Sequence, residues 1–335
     1  ARQIAILHSL DIKIIIVHGS RPQISALLAQ EGLKYHKYRN LRITTPEILT
    51  LVQSASWKLS YEILQALSNS HVTGFSIAPI IGNFVKAKGM GIIDGQNFLY
   101  TGQVDKVHKK RLQILLEHNY TPLLQPLGMD SEGTLFNLRA VEIAAHTAQV
   151  MKAAKFILLI EEDYRYLGNT MGFLNIQELD KQIEDLQTLP HSNDTQELLL
   201  ERLQSAHQAA QQGIERIHLV HAIGKDYLLR EIFTKEGNGL LISGNQFSQI
   251  RRAQPQDTKI ILELLEKNNQ LGEFRERGQE ELVSNIEDFF LFEIEGAVCG
   301  AVALHPLKYH QTAELAALVV DQNYRQLGIG KKLVS

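Results

Sequence analysis

The sequence predicts an α/β protein in two parts, a doubly wound, mostly parallel sheet followed by a smaller mixed α/β domain. Three observations predict it. The chain has 335 residues, enough for about two domains of ~150 residues each. Its first half alternates helix-period stretches with short β-rich runs and turns, the pattern of a parallel sheet crossed by helices. Its last part instead joins two apolar runs by a glycine turn, and a third run feeds a second glycine turn, which describes an antiparallel hairpin and its extension. Between the parts, residues 244–249 (GNQFSQ) have the polar, glycine-containing composition of a linker. The expected domains are 1–243 and 250–335, with the linker at 244–249.

The elements follow in order. Ile4, Leu7 and Leu10 have helical spacing, and residues 12–17 (IKIIIV) are β-rich. Pro22 suits the first turn of a helix at 23–31. Thr45-Pro46-Glu47 opens a long helical pattern through Ile48, Val52, Ala55 and Leu59 to Leu67. Residues 76–81 are strand-like, and 83–104 hold short β pieces with hairpin glycines, Asp94-Gly95 among them. Asp105 is expected to cap a helix reaching residue 119. A strand at 121–127, a helix at 140–153 and a strand at 156–160 come next. Helices are expected at 175–186 and 197–212, the second with Asp194 and Glu197 as a capping box. A strand at 216–221, a helix at 227–233 and a loop and strand at 234–243 complete the first part. The second part reads as strand 250–253, helix 258–268, helix 279–286, strands 289–294 and 297–304 around Glu295-Gly296, and strand 313–320.

Composition excludes several function classes. Hydrophobic residues make up 44% and charged residues 21%, ordinary for a globular chain. The net charge of -3 offers no electrostatic case for nucleic acid or an anionic membrane. No apolar stretch is long enough to span a bilayer, and nothing resembles a signal peptide. One cysteine, Cys299, rules out an internal disulfide framework and fits a reducing cytoplasm. The thirteen histidines are scattered; His218 and His221 lack a neighbouring Cys or acidic cluster, so no metal site is expected.

The chemistry concentrates near the C-terminus. Arg325-Gln326-Leu327-Gly328-Ile329-Gly330 reads R-x-x-G-x-G after an apolar run at 315–320, and Lys331-Lys332-Leu333 opens a helix. A strand feeding a glycine turn and a helix start suits a phosphate, because unpaired N–H groups and the dipole's positive end meet the anion. G-x-G alone reads as a surface turn before a helix; strand, arginine and spacing together favour the anion.

These residues resemble the acetyl-CoA signature of the GNAT superfamily of N-acetyltransferases. The resemblance implies that Leu318, Val319 and Val320 bind pantetheine through their backbone. It implies that Arg325, Gln326, Leu327, Gly328, Ile329 and Gly330 wrap the pyrophosphate. It makes Glu314 the general base on the same strand, whose burial would raise its pKa; a rim carboxylate with no role is the bland alternative. The general acid is expected beyond Ser335, and both ends of the chain are expected to lack residues of the working protein. Tyr324 is a poor candidate for that acid.

The first half carries VHGSRPQI (17–24), RITTPEIL (42–49), GNFVKAKGMGIIDG (82–95), YTGQVDKV (100–107), PLLQPLG (122–128) and FNL (136–138). Together they resemble the amino-acid kinase fold, in the form found in the N-acetylglutamate synthase family. Three departures argue that phosphotransfer is lost. Arg21 stands where the kinases have the third glycine of a run, Val141 and Glu142 replace an organising aspartate, and Met171-Gly172-Phe173 is a faint echo of a nucleotide segment. Residues 230–243 (REIFTKEGNGLLIS) resemble an arginine-binding element, which implies an allosteric site made of Glu231, Phe233, Thr234, Gly237 and Gly239. Without the resemblance, Glu231 reads equally as a solvated helix carboxylate. Arg275 and Arg277 match a basic stretch near the family's amino-acid substrate; two solvated arginines are the alternative. The two halves in this order imply synthesis of N-acetyl-L-glutamate from acetyl-CoA and L-glutamate, the first step of arginine biosynthesis, with arginine as effector and a homo-oligomer as the assembly. Two rivals are a working kinase with an acetyltransferase appendage and a non-catalytic arginine sensor.

Overall fold

The computed structural model describes residues 1–335 except 39–40, 70–76, 162–172, 189–193, 235–238, 244–247, 270–277, 295, 308–311, 323 and 325–327. Packing divides the chain into two units, Ala1–Phe156 with Pro190–Ile214, and Ile157–Leu189 with Glu215–Ser335.

In the first unit, α1 (Arg2–Ser9) leads to β1 (Ile16–Val17), and α2 (Arg21–Gln30) carries Pro22 in its first turn, where a missing N–H is harmless. β2 (Lys37–Tyr38) and β3 (Leu41–Arg42) pair antiparallel. α3 (Pro46–Ser68) starts where expected, with the Ile48 N–H donating to Thr45 Oγ1 at 3.4 Å. β4 (Pro79–Ile81) and β5 (Val85–Gly89) precede a small hairpin, β6 (Ile92–Ile93) and β7 (Gln96–Asn97). Its corner is Asp94-Gly95, both at positive φ, as that dipeptide predicts. β8 (Gly102–Val107), α4 (Lys109–Glu117), β9 (Thr121–Leu124), β10 (Leu127–Met129), β11 (Leu135–Asn137) and α5 (Ala140–Met151) complete the run.

β1, β9 and β4 make a parallel sheet in that order. β11, β10, β5 and β8 make a second, mixed sheet, antiparallel except at β10–β5. Phe84, Val85, Leu112, Leu124, Phe136 and Ile143 pack the core beside them. Asp105 does not cap a helix. It lies in β8, where the register shifts so that Lys86 faces Lys106 while Ala87 faces Val104, and the helix begins only at Lys109. The expected strand at 121–127 splits into β9 and β10, with Pro126, which has no N–H for a ladder, between them.

β12 (Phe156–Ile160), β13 (Phe173–Asn175), α6 (Ile176–Thr188), α7 (Asp194–Gln211), β14 (Arg216–His221), α8 (Tyr227–Phe233) and β15 (Gly239–Ser243) follow. The sheet order is β12-β14-β15-β13, with β13–β15 parallel and β14–β15 antiparallel. A reciprocal capping box heads α6: the Asn175 N–H donates to Glu178 at 2.9 Å and the Glu178 N–H to Asn175 at 2.8 Å. α7 takes in Asp194 as its first residue.

β16 (Ser248–Arg252), α9 (Thr258–Asn268), α10 (Gln279–Ser284), β17 (Phe289–Ile294), β18 (Ala297–Pro306), β19 (Ala313–Val320) and α11 (Ile329–Val334) close the chain. β16-β17-β18-β19 is antiparallel throughout. Ile261, Leu264, Leu291, Ala301, Ala303 and Val319 pack one of its faces, and Phe292, Ile294, Cys299 and Ile329 the other.

Arg251 staples this sheet to its first helix. Its guanidinium meets Asp257 at 2.6 and 2.9 Å and Glu293 at 2.6 Å, while Asp257 also accepts the Gln254 N–H at 2.7 Å. The hydrogen bonds from Arg251 hold both carboxyls below their usual range. Arg251→Met should cost about 2 kcal/mol or more, less than for a fully buried network because the guanidinium is partly exposed. Carboxyls held low contribute fully above their ordinary pKa of about 4 and lose that contribution as pH falls through the depressed values. The deficit of the variant in urea unfolding should therefore shrink between pH 7 and pH 3.

Candidate functional site

β18 and β19 do not pair evenly. Ala303 faces Ala316 and Ala301 faces Val319, so Ala317 and Leu318 share the single partner Val302. That is a β-bulge, and it takes main-chain groups of β19 out of the ladder. Ala317 sits at φ +51, a left-handed conformation that alanine rarely adopts. β19 is also the edge of the sheet among the described residues. Leu318 is 36% exposed beside the bulge, whereas Val319 is buried and Val320 packs with Ile329.

The glycine turn follows. Gly328 is left-handed at φ +67 and is the N-cap of α11, a conformation that favours glycine. A Cβ on Gly330 would meet Val320 Cγ2 at 3.8 Å, an ordinary contact, so packing inside the protein does not demand glycine there. Arg325, Gln326 and Leu327 lie outside the described residues, as do Arg275 and Arg277.

Glu314 is the second residue of β19 and is exposed, not desolvated as expected. His305 of β18 is its direct cross-strand partner. The His305 Nδ1–H donates to Asp288 Oδ2 at 2.8 Å, and its ring lies edge-on to Phe289 at 6.2 Å. Sequence reasoning missed His305. The turn at Glu295-Gly296 brings residues near 288 and 305 level by counting, but the bulge hides the register of the next strand.

Two of the expected effector residues, Glu231 and Gly239, meet β14. Glu231 is buried and bonds to His218 Nδ1 at 2.5 Å, so it is not a solvated surface carboxylate. Phe233 is 55% exposed at the end of α8, and Thr234 Oγ1 donates to the Arg230 carbonyl at 2.7 Å. Gly239 pairs with Val220, and a Cβ there would lie 2.4 Å from the Leu219 carbonyl oxygen, so the ladder itself requires glycine. Gly237 lies outside the described residues.

In the first unit, polar groups of the β1–α2 loop turn inward. His18 Nε2 bonds to Ser60 Oγ at 2.7 Å and Ser20 Oγ to Ser56 Oγ at 2.9 Å. Burial keeps the His18 ring below its ordinary pKa. Arg21 bonds to Glu201 of α7 at 2.9 Å. Val141 is buried, and Glu142 accepts the Val104 N–H at 2.8 Å, beside the irregularity in β8. Among the described residues, no group of His, Cys, Asp and Glu is arranged to hold a metal, and no helix is long and apolar enough to cross a membrane.

Known proteins share this arrangement. The amino acid kinase family model matches residues 1–221 and the acetyltransferase (GNAT) family model matches residues 258–335. The amino-acid acetyltransferase of Ectopseudomonas mendocina is 34% identical over 342 residues, covering 99% of this chain and 76% of the relative. The chain belongs to the amino-acid acetyltransferase family. It is an N-acetyltransferase with an amino-acid kinase-type domain followed by a GNAT domain. The Neisseria gonorrhoeae N-acetylglutamate synthase complexed with coenzyme A and L-arginine matches 99% of this chain and 77% of that one, at TM-score 0.73 and 28% identity. The same synthase complexed with coenzyme A and N-acetyl-glutamate matches 99% and 76%, at TM-score 0.65 and 27% identity.

In this acetyltransferase the bulge depends on a residue that tolerates positive φ. Ala317→Val should lower stability by about 1–2 kcal/mol in urea titration, because a β-branched side chain resists that conformation, whereas Ala317→Gly should not.

Proposed function

We propose that this amino-acid acetyltransferase moves the acetyl group of acetyl-CoA to the α-amine of L-glutamate, making N-acetyl-L-glutamate at the entry to arginine biosynthesis, with arginine acting as its allosteric effector. The bulged edge strand running into a left-handed glycine at a helix start carries this reading. The edge strand at Leu318, Val319 and Val320, bulged where Leu318 is exposed, is apt for an extended amide-bearing arm. Packing inside the protein does not demand glycine at Gly330, which supports a ligand role for Gly328, Ile329 and Gly330 in holding a diphosphate. The gonococcal synthase, bound in its two structures to coenzyme A with arginine or with N-acetyl-glutamate, supports the same substrates and effector here.

Acetyl-CoA supplies the thioester when bound. The chain must supply a neutral amine and a polarised carbonyl. Glu314, at the start of the same strand, takes a proton from the acceptor ammonium, and N–H groups released by the bulge stabilise the developing oxyanion. Arg275 and Arg277 hold the acceptor's carboxylates. Glu231, Phe233, Thr234, Gly237 and Gly239 form the effector site, with Glu231 as the carboxylate for a guanidinium.

The kinase-type domain, taken as 1–243 ahead of the linker 244–249 and the acetyltransferase domain 250–335, does not phosphorylate in this reading. Arg21 is tied to Glu201, and Glu142 to the backbone of β8, so neither serves a nucleotide. A homo-oligomer in the cytoplasm completes the proposal.

Thiol release from acetyl-CoA, measured with a panel of amino acids, should select glutamate. Glu314→Gln should lower kcat by about 10²-fold or more; a normal rate and pH profile would remove Glu314 from the mechanism. Glu231→Ala should weaken arginine binding by about tenfold or more in calorimetry, and unchanged binding would reject that effector site.

A further inference from the structure

The reaction as derived leaves one constellation unused. Asp288, in the turn before β17, His305 on β18 and Glu314 on β19 lie in a row on three neighbouring segments. Directly opposed residues of an antiparallel pair leave the same face of the sheet, with Cβ atoms about 5 Å apart. His305 and Glu314 are such a pair. Asp288, a carboxylate acceptor, fixes the hydrogen on Nδ1 of the neutral ring and leaves Nε2 as an acceptor. Among the described residues Nε2 makes no hydrogen bond. Around the ring on this face, β17 presents Phe289 and α9 presents Ile261, Leu264 and Leu265, and the turn before β17 carries Glu287 beside Asp288. α11 packs on the opposite face through Ile329.

We propose that His305 is a positioning residue and proton carrier behind Glu314. Glu314 takes the proton of the acceptor ammonium and passes it to His305 Nε2. Asp288 stabilises the imidazolium through Nδ1–H, and the Nε2 proton then leaves to water. The relay moves one proton from the ammonium to solvent, with no electrons exchanged; as the C–N bond forms and the C–S bond breaks, the proton lost from the acylated nitrogen ends on the departing CoA thiolate. The His305 side chain is 25% exposed, which gives the proton an exit when substrates cover Glu314. The proposal rests on the acetyl-transfer reading with Glu314 as base.

The test is thiol release as a function of pH on the full-length protein, with acetyl-CoA and glutamate. His305→Gln keeps a polar side chain of similar size that does not titrate. It should lower kcat by about tenfold or more and move the acidic limb of the profile, with KM for acetyl-CoA changed by less than about twofold. Imidazole should restore part of the activity of His305→Ala, and Asp288→Asn should lower kcat in the same direction but less. If His305→Ala does not fold, His305→Gln and Asp288→Asn carry the test. A His305→Gln enzyme with the parent's kcat and profile overturns the proposal. So does a loss of kcat with an unmoved limb, which marks a structural role. A normal Glu314→Gln enzyme overturns the base assignment and the relay together. A parent protein that acetylates no amino acid of the panel overturns the acetyl-transfer reading itself.

Discussion

One extra residue in β19 cannot be absorbed by a ladder of fixed spacing without taking main-chain groups out of it. Ala317 and Leu318 facing Val302 alone is that constraint, and Ala317 at positive φ is its local cost. The bulge also sets what lies on each face. Before it, Glu314 is level with His305; beyond it, Val319 returns to the core and Val320 reaches the helix capped by Gly328. The level of the proposed base Glu314 on the sheet and the placing of Val320 against the last helix are therefore set by one irregularity.

The helix after the turn is anchored from its other side. Lys332 Nζ lies 2.9 Å from Glu178, the same carboxylate that completes the capping box of α6, and is 6.0 Å from the Phe292 ring centroid. α6 follows directly on β13, whose Asn175 is level with Ser243 of β15. Thus the segment bearing the proposed diphosphate turn and the strand that begins at Gly239 belong to one packed unit.

In the kinase-type domain the same kinds of group are turned to internal use. A phosphotransfer site needs cations aimed at a space left open by glycines. Here Arg21 pairs with Glu201, Glu142 closes an irregular strand, and His18 and Ser20 zip the loop to α3 through Ser60 and Ser56. The bonds of His18 and Ser20 satisfy polar groups that burial would otherwise penalise, whereas the Arg21 side chain is partly exposed.

Most element types were legible in the sequence, because periodicity and caps act over a few residues. Thr45-Pro46 started α3, Asp94-Gly95 made its hairpin, and the strands at Phe156–Ile160, Phe289–Ile294 and Ala313–Val320 have the expected bounds. Local pattern failed at Asp105, where a cap residue was overruled by strand pairing with β5. The candidate site was legible as residue types in order: an acidic residue, an apolar strand, two glycines. Its geometry was not. That Glu231 is buried against His218, that Glu314 is exposed, and that His305 stands opposite it under the hold of Asp288 depend on which strands are neighbours and in what register. Register is a long-range property, decided when two faces bury their apolar sides together, and one inserted residue changes it without leaving a mark in the local sequence.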